Sequence, residues 1–316
     1  MAKRRSGKAT GNGSVAVIDL GTNSTRLLVA RHDGGSLEEV HRESTVTSLG
    51  SGVDLTGSLS MEAIERTCAA VDVYRDIWID HEVDQVIASA TSAVRDAENG
   101  GAFIAEMRER FDVDARVLTG EQEANLVFLG STAGNPTEER TLVVDIGGGS
   151  TEIVIGIGEE PEFHASLQAG VLRHSERHLN SDPPVPEELE NLANEIRSAI
   201  EISCGGADRS GIGRAIAVAG TPAALAAIER GERDPSRSDI HGAVLDLSTI
   251  QRSLSSLSAM PHAERAQVPG LKPDRAPFIL AGSVILIQVM RAFGVDRIEV
   301  SESDLMHGLA LEALGS

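Results

Sequence analysis

One arrangement of strand, glycine turn and strand occurs twice in this chain. VAVIDLGTNSTRLLVA (15–30) and TLVVDIGGGSTEIVIG (141–156) each interrupt a β-branched apolar run with glycines and hydroxyl side chains. The matched positions are Asp19 with Asp145, Gly21 with Gly147, Ser24 with Ser150, and Thr25 with Thr151. This duplication predicts two related domains that face each other, each presenting one turn.

The segments around the turns alternate between strands and helices. MEAIERTCAAVDVYRDIWID (61–80) has apolar residues at helical spacing, and DQVIASA (84–90) has the pattern of a strand. TGEQEANLVFLG (119–130) opens a helix with a capping box, in which Thr119 is the N-cap and Gln122 follows three residues later. Such alternation favours an α/β fold over an all-β sandwich.

Length and duplication together predict the domain organisation. At 316 residues the chain exceeds the usual size of a single core. We predict a flexible basic tail at 1–13, an N-terminal domain at 14–125 and a C-terminal domain at 126–316. The terminal helix of the second domain is expected to pack back on the first.

The charge balance limits the partners that this chain can bind. Its 48 acidic residues outnumber 28 basic ones, so the net charge is −20 and a broad surface would repel nucleic acid. A phosphate-rich ligand would need a local set of donors, together with a cation.

Three features favour a cytoplasmic protein without a membrane segment. The longest apolar run, FILAGSVILIQVM (278–290), is short and contains polar residues, which predicts a buried helix. The N-terminus has basic residues but no apolar run after them, so it lacks the pattern of a secretory signal. Cys68 and Cys204 are far apart and fit a reducing compartment.

The glycine turns are the first candidates for a binding site. Successive glycines permit positive φ and leave backbone N–H groups free to point at an anion, and Asp145 offers a hard oxygen for Mg²⁺. No G-K-[ST] follows, and a strand rather than a helix comes next, so neither a Walker loop nor a dinucleotide fingerprint is present. A single turn of this kind would be as well explained by an ordinary hairpin, but its duplication favours phosphate binding.

Other candidates have plain structural alternatives. Arg26 and Arg95 lie near strand ends and could contact phosphate, although a lone arginine is more often a solvated surface group. Glu121 and Glu123 stand where acids complement a helix dipole without any further role. Gly220 opens a helix after a strand, which is either an anion site or only a cap.

The segment HSERH (174–178) places two histidines at i and i+4. It resembles a zinc pattern but lacks the glutamate directly after the first histidine. We favour a basic helix face formed by Arg173, His174, Arg177 and His178.

These motifs together resemble the exopolyphosphatase and guanosine pentaphosphate phosphohydrolase family, within the actin, sugar kinase and acetate kinase superfold of two RNase H-like domains. The resemblance runs in order through DLGTNSTRLLV, TSAVRDAENG, TGEQEANLVFLG, VVDIGGGSTEIVIG, LQAGVLRHSER, VAGTPAALAAI and IEVSESDL, and so covers nearly the whole chain. It implies hydrolysis of a terminal phosphoanhydride in the cleft between the domains, with Mg²⁺ or another divalent cation.

The resemblance also implies roles for individual residues. Glu123 becomes the catalytic base that activates water, and Asp145, Glu152 and Asp19 become the metal candidates. The implied phosphate-binding residues are Asn23, Ser24, Arg26, Arg95, Gly147, Gly148, Gly149, Ser150, Thr151 and Arg173.

The chain departs from the family pattern at two places. Gln122 replaces one of the two acids usual in G-x-E-E-A, and residues 301–308 read SESDLMHG where S-E-G-G-L-R-E-G is usual. The leading hypothesis is an exopolyphosphatase for short polyphosphate chains. Alternatives are a guanosine pentaphosphate (pppGpp) phosphohydrolase, a kinase or nucleoside triphosphatase, and a phosphate-ligand sensor without turnover. A homodimer is implied by the resemblance.

Overall fold

The structure is a computed structural model that describes residues 13–33, 36–135, 137–232 and 235–315. The predicted basic tail therefore lies outside the described residues, apart from Gly13. The elements divide between two sheets, with two helices between them.

The first half of the chain forms a five-stranded sheet. Its strands are β1 (Ser14–Leu20), β2 (Ser24–Asp33), β3 (Ser36–Val46), β4 (Gln85–Ala90) and β5 (Asp114–Val117). Its helices are α1 (Val53–Thr56), α2 (Met61–Asp80), α3 (Ser92–Asp96) and α4 (Gly100–Phe111). The strand order is β3-β2-β1-β4-β5, in which β1 to β3 are antiparallel and β4 and β5 continue parallel to β1.

The second half begins with helix α5 (Gly120–Thr132) and forms a six-stranded sheet. Its strands are β6 (Thr141–Ile146), β7 (Thr151–Ile157), β8 (Glu160–Leu167), β9 (Arg214–Val218), β10 (Val244–Asp246) and β11 (Arg297–Val300). Its further helices are α6 (Val171–His178), α7 (Pro186–Cys204), α8 (Gly220–Arg230), α9 (Arg237–Ile240), α10 (Leu247–Ser258), α11 (His262–Arg265), a 3₁₀ turn (Pro273–Arg275), α12 (Ile279–Phe293) and α13 (Leu305–Leu314).

The two sheets repeat one pattern of strand pairing. In the order β10-β11-β9-β6-β7-β8, β6 to β8 are antiparallel and β9 is parallel to β6, just as β4 is parallel to β1. Asp19 pairs with Arg26 across the first hairpin, and Asp145 pairs with Glu152 across the second. The predicted α/β class with two related sheets is therefore confirmed.

Helices α5 and α13 lie against each other between the sheets. α5 packs on β7 and β8, whereas α13 packs on β1 and β2, so the last helix contacts the first half of the chain. Glycines allow the close approach, because a Cβ on Gly130 would lie 2.0 Å from the Asp304 carbonyl oxygen and one on Gly308 would lie 2.0 Å from that of Leu126. The predicted domain boundary, between residues 125 and 126, falls inside α5. This boundary stays a prediction.

The apolar run at 278–290 forms most of α12, and nearly all of its side chains are buried. α12 packs against α6, α7 and α10 in the core of the second half. Within the described ranges, helices with the length and apolar character needed to cross a bilayer are absent.

Candidate functional site

The two glycine turns pack directly against each other. A Cβ on Gly148 would lie 2.7 Å from the backbone nitrogen of Asn23, and one on Gly149 would lie 2.7 Å from the Ser92 hydroxyl oxygen. Neither glycine has a positive φ, nor has Gly147. The expectation that left-handed backbone explains these glycines is therefore wrong. Gly148 and Gly149 are required because a side chain at either would push the two halves of the molecule apart, whereas a Cβ on Gly147 would meet only Ser150 of its own turn, at 3.1 Å.

The second turn keeps backbone N–H groups available. Gly147 donates its N–H to the Ser150 carbonyl at 2.9 Å, whereas the hydrogen bonds found among the described residues use neither the Gly148 nor the Gly149 N–H. Helix α6 supports the turn from behind, because Val171 donates to the Gly147 carbonyl and Leu172 to the Gly148 carbonyl, each at 2.9 Å. Gly148 also lines a cavity, so its amide is a suitable donor for an anion there.

A cavity of about 90 Å³ lies between the two halves. One water molecule needs roughly 10–15 Å³ on this measure, so the space can hold a phosphoryl group with a few waters. Its polar lining includes Asp19, Asn23, Ser24, Glu123, Asp145 and Glu152, together with Gly147 and Gly148. The structure thus gathers residues from both turns and from α5 around one space.

Four buried carboxyl groups give this cavity its electrostatic character. Burial raises the pKa of Asp19, Glu123 and Asp145, and neighbouring carboxylates raise the last two further. Burial also raises the pKa of Glu152 to about 7, against hydrogen bonds from Ser166 and Ser150 that lower it. A group of acids that resist ionisation together favours a bound cation.

The predicted metal ligands offer unpartnered oxygen atoms to a cation. The Oδ1 atom of Asp19 and the Oε2 atom of Glu152 are buried without a hydrogen-bond partner among the described residues. The acids do not converge as a closed cage, since the described part of the chain brings three possible ligand atoms within 4.8 Å of one another only at His174, His178 and Glu195. Mg²⁺ usually takes one or two carboxylates and completes its shell with water and substrate phosphates. The carboxylate oxygens of Asp19, Asp145 and Glu152 fit this coordination preference of Mg²⁺.

Glu123 is held at the start of α5 by its surroundings. The helix begins with the predicted capping box, in which Thr119 accepts from the Gln122 N–H at 3.2 Å and donates its own N–H to the Gln122 side chain at 2.9 Å. Gln122 therefore performs the capping that the more usual acid would provide. Arg95 Nη1 donates to the Leu118 carbonyl at 2.9 Å and to Glu123 Oε2 at 3.2 Å. This arginine orients the buried carboxylate.

The other two predicted phosphate arginines are also paired with acids. Arg26 donates from Nε and Nη2 to Asp19 Oδ2 at 2.9 and 2.6 Å, and from Nη1 to Asp304. Arg173 donates to the Gly149 carbonyl at 3.0 Å and pairs with Asp54 and Asp96. A phosphate would have to exchange with these acids, so phosphate binding by Arg26 and Arg173 stays a prediction.

The predicted basic face of α6 contacts acids from both halves of the chain. Arg177 pairs with Asp54 of the first half and with Glu195 of α7. His174 departs from the prediction, since it is 1% exposed and burial lowers its pKa to about 4. α6 thus links the two halves through arginine and carries one neutral histidine inside.

Sequence reasoning missed Asp304 and Ala219. Asp304 is buried at the N-terminus of α13, where it caps Met306 N–H at 3.0 Å and binds Arg26 and Arg42. Its place before an apolar helix was the available signal, but the partners are distant in sequence. Ala219 lies beside the cavity with a φ of 75°, a strained conformation that no sequence pattern predicts.

Comparison with known proteins identifies relatives along almost the whole chain. The family described as "Ppx/GppA phosphatase family" matches residues 28–316. "Exopolyphosphatase 2" of Mycobacterium tuberculosis is 35% identical, over 95% of this chain and 98% of that protein. A solved exopolyphosphatase-like protein has a TM-score of 0.91 at 31% identity, covering 96% of this chain and 98% of that one. The Aquifex aeolicus family member has a TM-score of 0.82 at 30% identity, with the same coverage.

Proposed function

The chain belongs to the Ppx/GppA phosphatase family, and on that premise we propose that it is an exopolyphosphatase that releases terminal phosphate from short polyphosphate chains. The observation that carries the proposal is the placement of Glu123, a buried carboxylate that lines the cavity between the glycine turns and is held by Arg95. Relatives named exopolyphosphatase support the substrate class.

In the proposed reaction the terminal phosphoryl group lies between the turns. The free N–H groups of Gly148 and Gly149, with the Asn23 and Ser24 side chains, bind its oxygens. Glu123 accepts a proton from water as the water oxygen attacks phosphorus and the bridging P–O bond breaks. Orthophosphate and a chain shorter by one unit leave. Positioning and charge neutralisation supply most of the rate in such transfers, and the base adds to them.

We assign the divalent cation to Asp145 and Glu152, with Asp19 as a further oxygen donor. When bound, Mg²⁺ would neutralise charge on the phosphate oxygens. Asp145 and Glu152 lie side by side on β6 and β7, and the unpartnered Oε2 atom of Glu152 is available to a ligand.

A second cavity supports binding of the rest of the chain. It has a volume of about 640 Å³ and shares Arg26, Gly220 and Arg275 with the first. Its lining adds Arg42, Arg237 and Lys272. We propose that the phosphates behind the terminal one enter this space, whose limited size favours short chains.

Two buried free cysteines, Cys68 and Cys204, support a cytoplasmic location as part of this proposal. Unpaired thiols persist most readily in a reducing compartment.

A substrate panel tests the proposed function. Phosphate release is measured from tetrapolyphosphate, long polyphosphate, guanosine pentaphosphate and ATP, with and without Mg²⁺. The highest kcat/KM should be for tetrapolyphosphate with Mg²⁺, and it should be lost in Glu123→Gln. A higher value for guanosine pentaphosphate or ATP would replace the assignment with that substrate, and tight binding without release would indicate a sensor.

A further inference from the structure

A group of three metal-ligating side chains lies outside the proposed catalytic cavity. His174 and His178 stand one turn apart on α6, and Glu195 projects from α7 beside them. One ligand atom from each lies within 4.8 Å of the other two. The rings are 5.7 Å apart between centroids and nearly parallel, so both present an edge to the same carboxylate.

The hydrogen bonding of His174 turns its Nε2 atom towards Glu195. Its Nδ1 atom lies 3.2 Å from the Gly170 carbonyl oxygen, and since a carbonyl only accepts, Nδ1 carries the proton. The other ring nitrogen, Nε2, lies 3.5 Å from Glu195 Oε1, and it is the atom that this histidine presents to the carboxylate and to an ion.

We propose that His174, His178 and Glu195 form a second metal site that binds a borderline divalent cation such as Zn²⁺ through Nε2, Nε2 and the carboxylate. Two histidines and one glutamate, with water in the fourth position, are a known Zn²⁺ ligand set. Tetrahedral bonds of about 2.1 Å separate ligand atoms by roughly 3.4 Å. His178 Nε2 lies 2.7 Å from Glu195 Oε2 and His174 Nε2 lies 3.5 Å from Glu195 Oε1, and these two distances bracket that value.

The surroundings support the ligand set. The Gly170 carbonyl fixes the tautomer and the orientation of His174, as outer partners of metal-bound histidines do. His178 would bind with its proton on Nδ1, so the ion displaces the proton that now joins Nε2 to Glu195. Arg177 competes for Glu195 but also pairs with Asp54, and it retains Asp54 when the ion takes Glu195.

The site is placed where it can act on the glycine turn. The first residues of α6 support the Gly147 and Gly148 carbonyls, and the ion would join the last turn of α6 to α7. Occupancy therefore fixes the helix that holds the turn. This role is structural and independent of the cation at Asp145.

Co²⁺ replaces Zn²⁺ as a spectroscopic probe, because tetrahedral Co²⁺ absorbs visible light strongly. The metal-free full-length protein is titrated with Co²⁺ in excess Mg²⁺, which occupies the oxygen-donor site. We expect one equivalent to give a visible band, with affinity at least tenfold weaker in His178→Ala and Glu195→Gln. The matched controls His262→Ala and Glu201→Gln, both at exposed positions, should behave as wild type.

Thermal unfolding with Zn²⁺ gives a second measurement. Zn²⁺ should raise the Tm of wild type and both controls, but not of the two site variants. No visible band in wild type, or an unchanged band in Glu195→Gln, would overturn the proposal. Glu195→Gln preserves size and helix propensity, so this variant tests the metal site if His178→Ala fails to fold. Neither measurement uses a substrate, and so neither depends on the proposed hydrolysis.

Discussion

The Nη1 atom of Arg95 lies 3.2 Å from the Oε2 atom of Glu123, and this contact joins α3 of the first half to the start of α5. Burial and the nearby Glu152 raise the pKa of Glu123, while Arg95 opposes the rise. A carboxylate with a raised pKa is more basic than one in water, and the contact with Arg95 favours its charged form. Those two properties are what a base for water activation requires.

Replacing Glu123 by glutamine removes the proposed base while keeping its size. We expect turnover of tetrapolyphosphate to fall by about 10²- to 10⁴-fold, the usual worth of a positioned base, with substrate binding retained. Steady-state kinetics and equilibrium binding measure the two effects. Glu121→Gln, in the same helical turn but exposed, is the control and should turn over normally. Near wild-type turnover in Glu123→Gln would reject the base.

Adding one methyl group at Gly148 tests whether the two turns must touch. A Cβ there would lie 2.7 Å from Asn23 N, so Gly148→Ala should move the turns apart and reduce both binding and turnover by about tenfold or more. Gly101→Ala is the control, since a Cβ at Gly101 has no neighbour within 4 Å. Normal kinetics in Gly148→Ala would show that activity does not depend on this close contact between the turns.

Local sequence patterns predict several features of this fold. Three features are predictable because one short segment contains the whole pattern for each. They are the duplicated turns, the capping box at Thr119 and the buried helix α12. The family and the α/β class followed from the order of such segments along the chain.

The ion-pair partners of charged residues cannot be predicted from local sequence patterns. Arg26 meets Asp304 only because α13 returns to the first sheet, 278 positions along the chain. The steric reason for Gly148 depends on the other turn, and the burial of His174 depends on α7 and α12. Tertiary packing decides whether an arginine is free, whether a histidine is charged and why a glycine is required. No local pattern contains that information.

The stability of the metal-free protein should depend on Glu152. Its pKa is raised from 4.5 in the unfolded chain to about 7 in the folded protein. Its contribution to the free energy of unfolding is therefore fully present below pH 4.5 and is lost as pH rises through about 7. A shift of this size corresponds to about 3 kcal/mol. Without cations, we expect the Tm to fall from pH 5 to pH 8. Mg²⁺ should raise the Tm more at pH 8 than at pH 5.

Glu152→Gln isolates this effect from other titrating groups. The variant should lose less stability than wild type between pH 5 and pH 8 and gain less from Mg²⁺. Thermal unfolding of both proteins across that range, with and without Mg²⁺, measures the difference. Parallel curves for the two proteins would contradict the assignment of Glu152 to the cation.

Asp304 is expected to stabilise the junction between the halves. It is buried and pairs with both Arg26 and Arg42, so Asp304→Ala removes the acid that these two guanidinium groups share and leaves Arg26 with Asp19 and Arg42 with Glu39. Breaking a buried pair in this way costs about 3–5 kcal/mol. Denaturant unfolding should show that loss. The control is Glu312→Gln on the same helix, where an exposed pair with Arg116 is removed at a cost of about 1 kcal/mol or less.

The dependence of activity on chain length tests how a protein of charge −20 captures a polyanion. Arg173 and Arg177 on α6 are paired with acids, and so are Arg26, Arg42 and Arg237 in the cavities. Lys272 and Arg275 also line the cavities and form no ion pair among the described residues. Positive charge for substrate is therefore local to the cavities, and the surface beyond them repels a long chain. Short chains should have the higher kcat/KM at low ionic strength.

Added salt should narrow this difference between short and long chains. Screening over a Debye length of about 10 Å at 0.1 M weakens repulsion from the distant surface more than contacts inside the cleft. We would measure kcat/KM for tetrapolyphosphate and for chains of several hundred phosphates at low and moderate salt, with free Mg²⁺ held constant. A preference for long chains at low salt that disappears as salt rises would contradict local capture, because only an extended basic track outside the cleft produces that result.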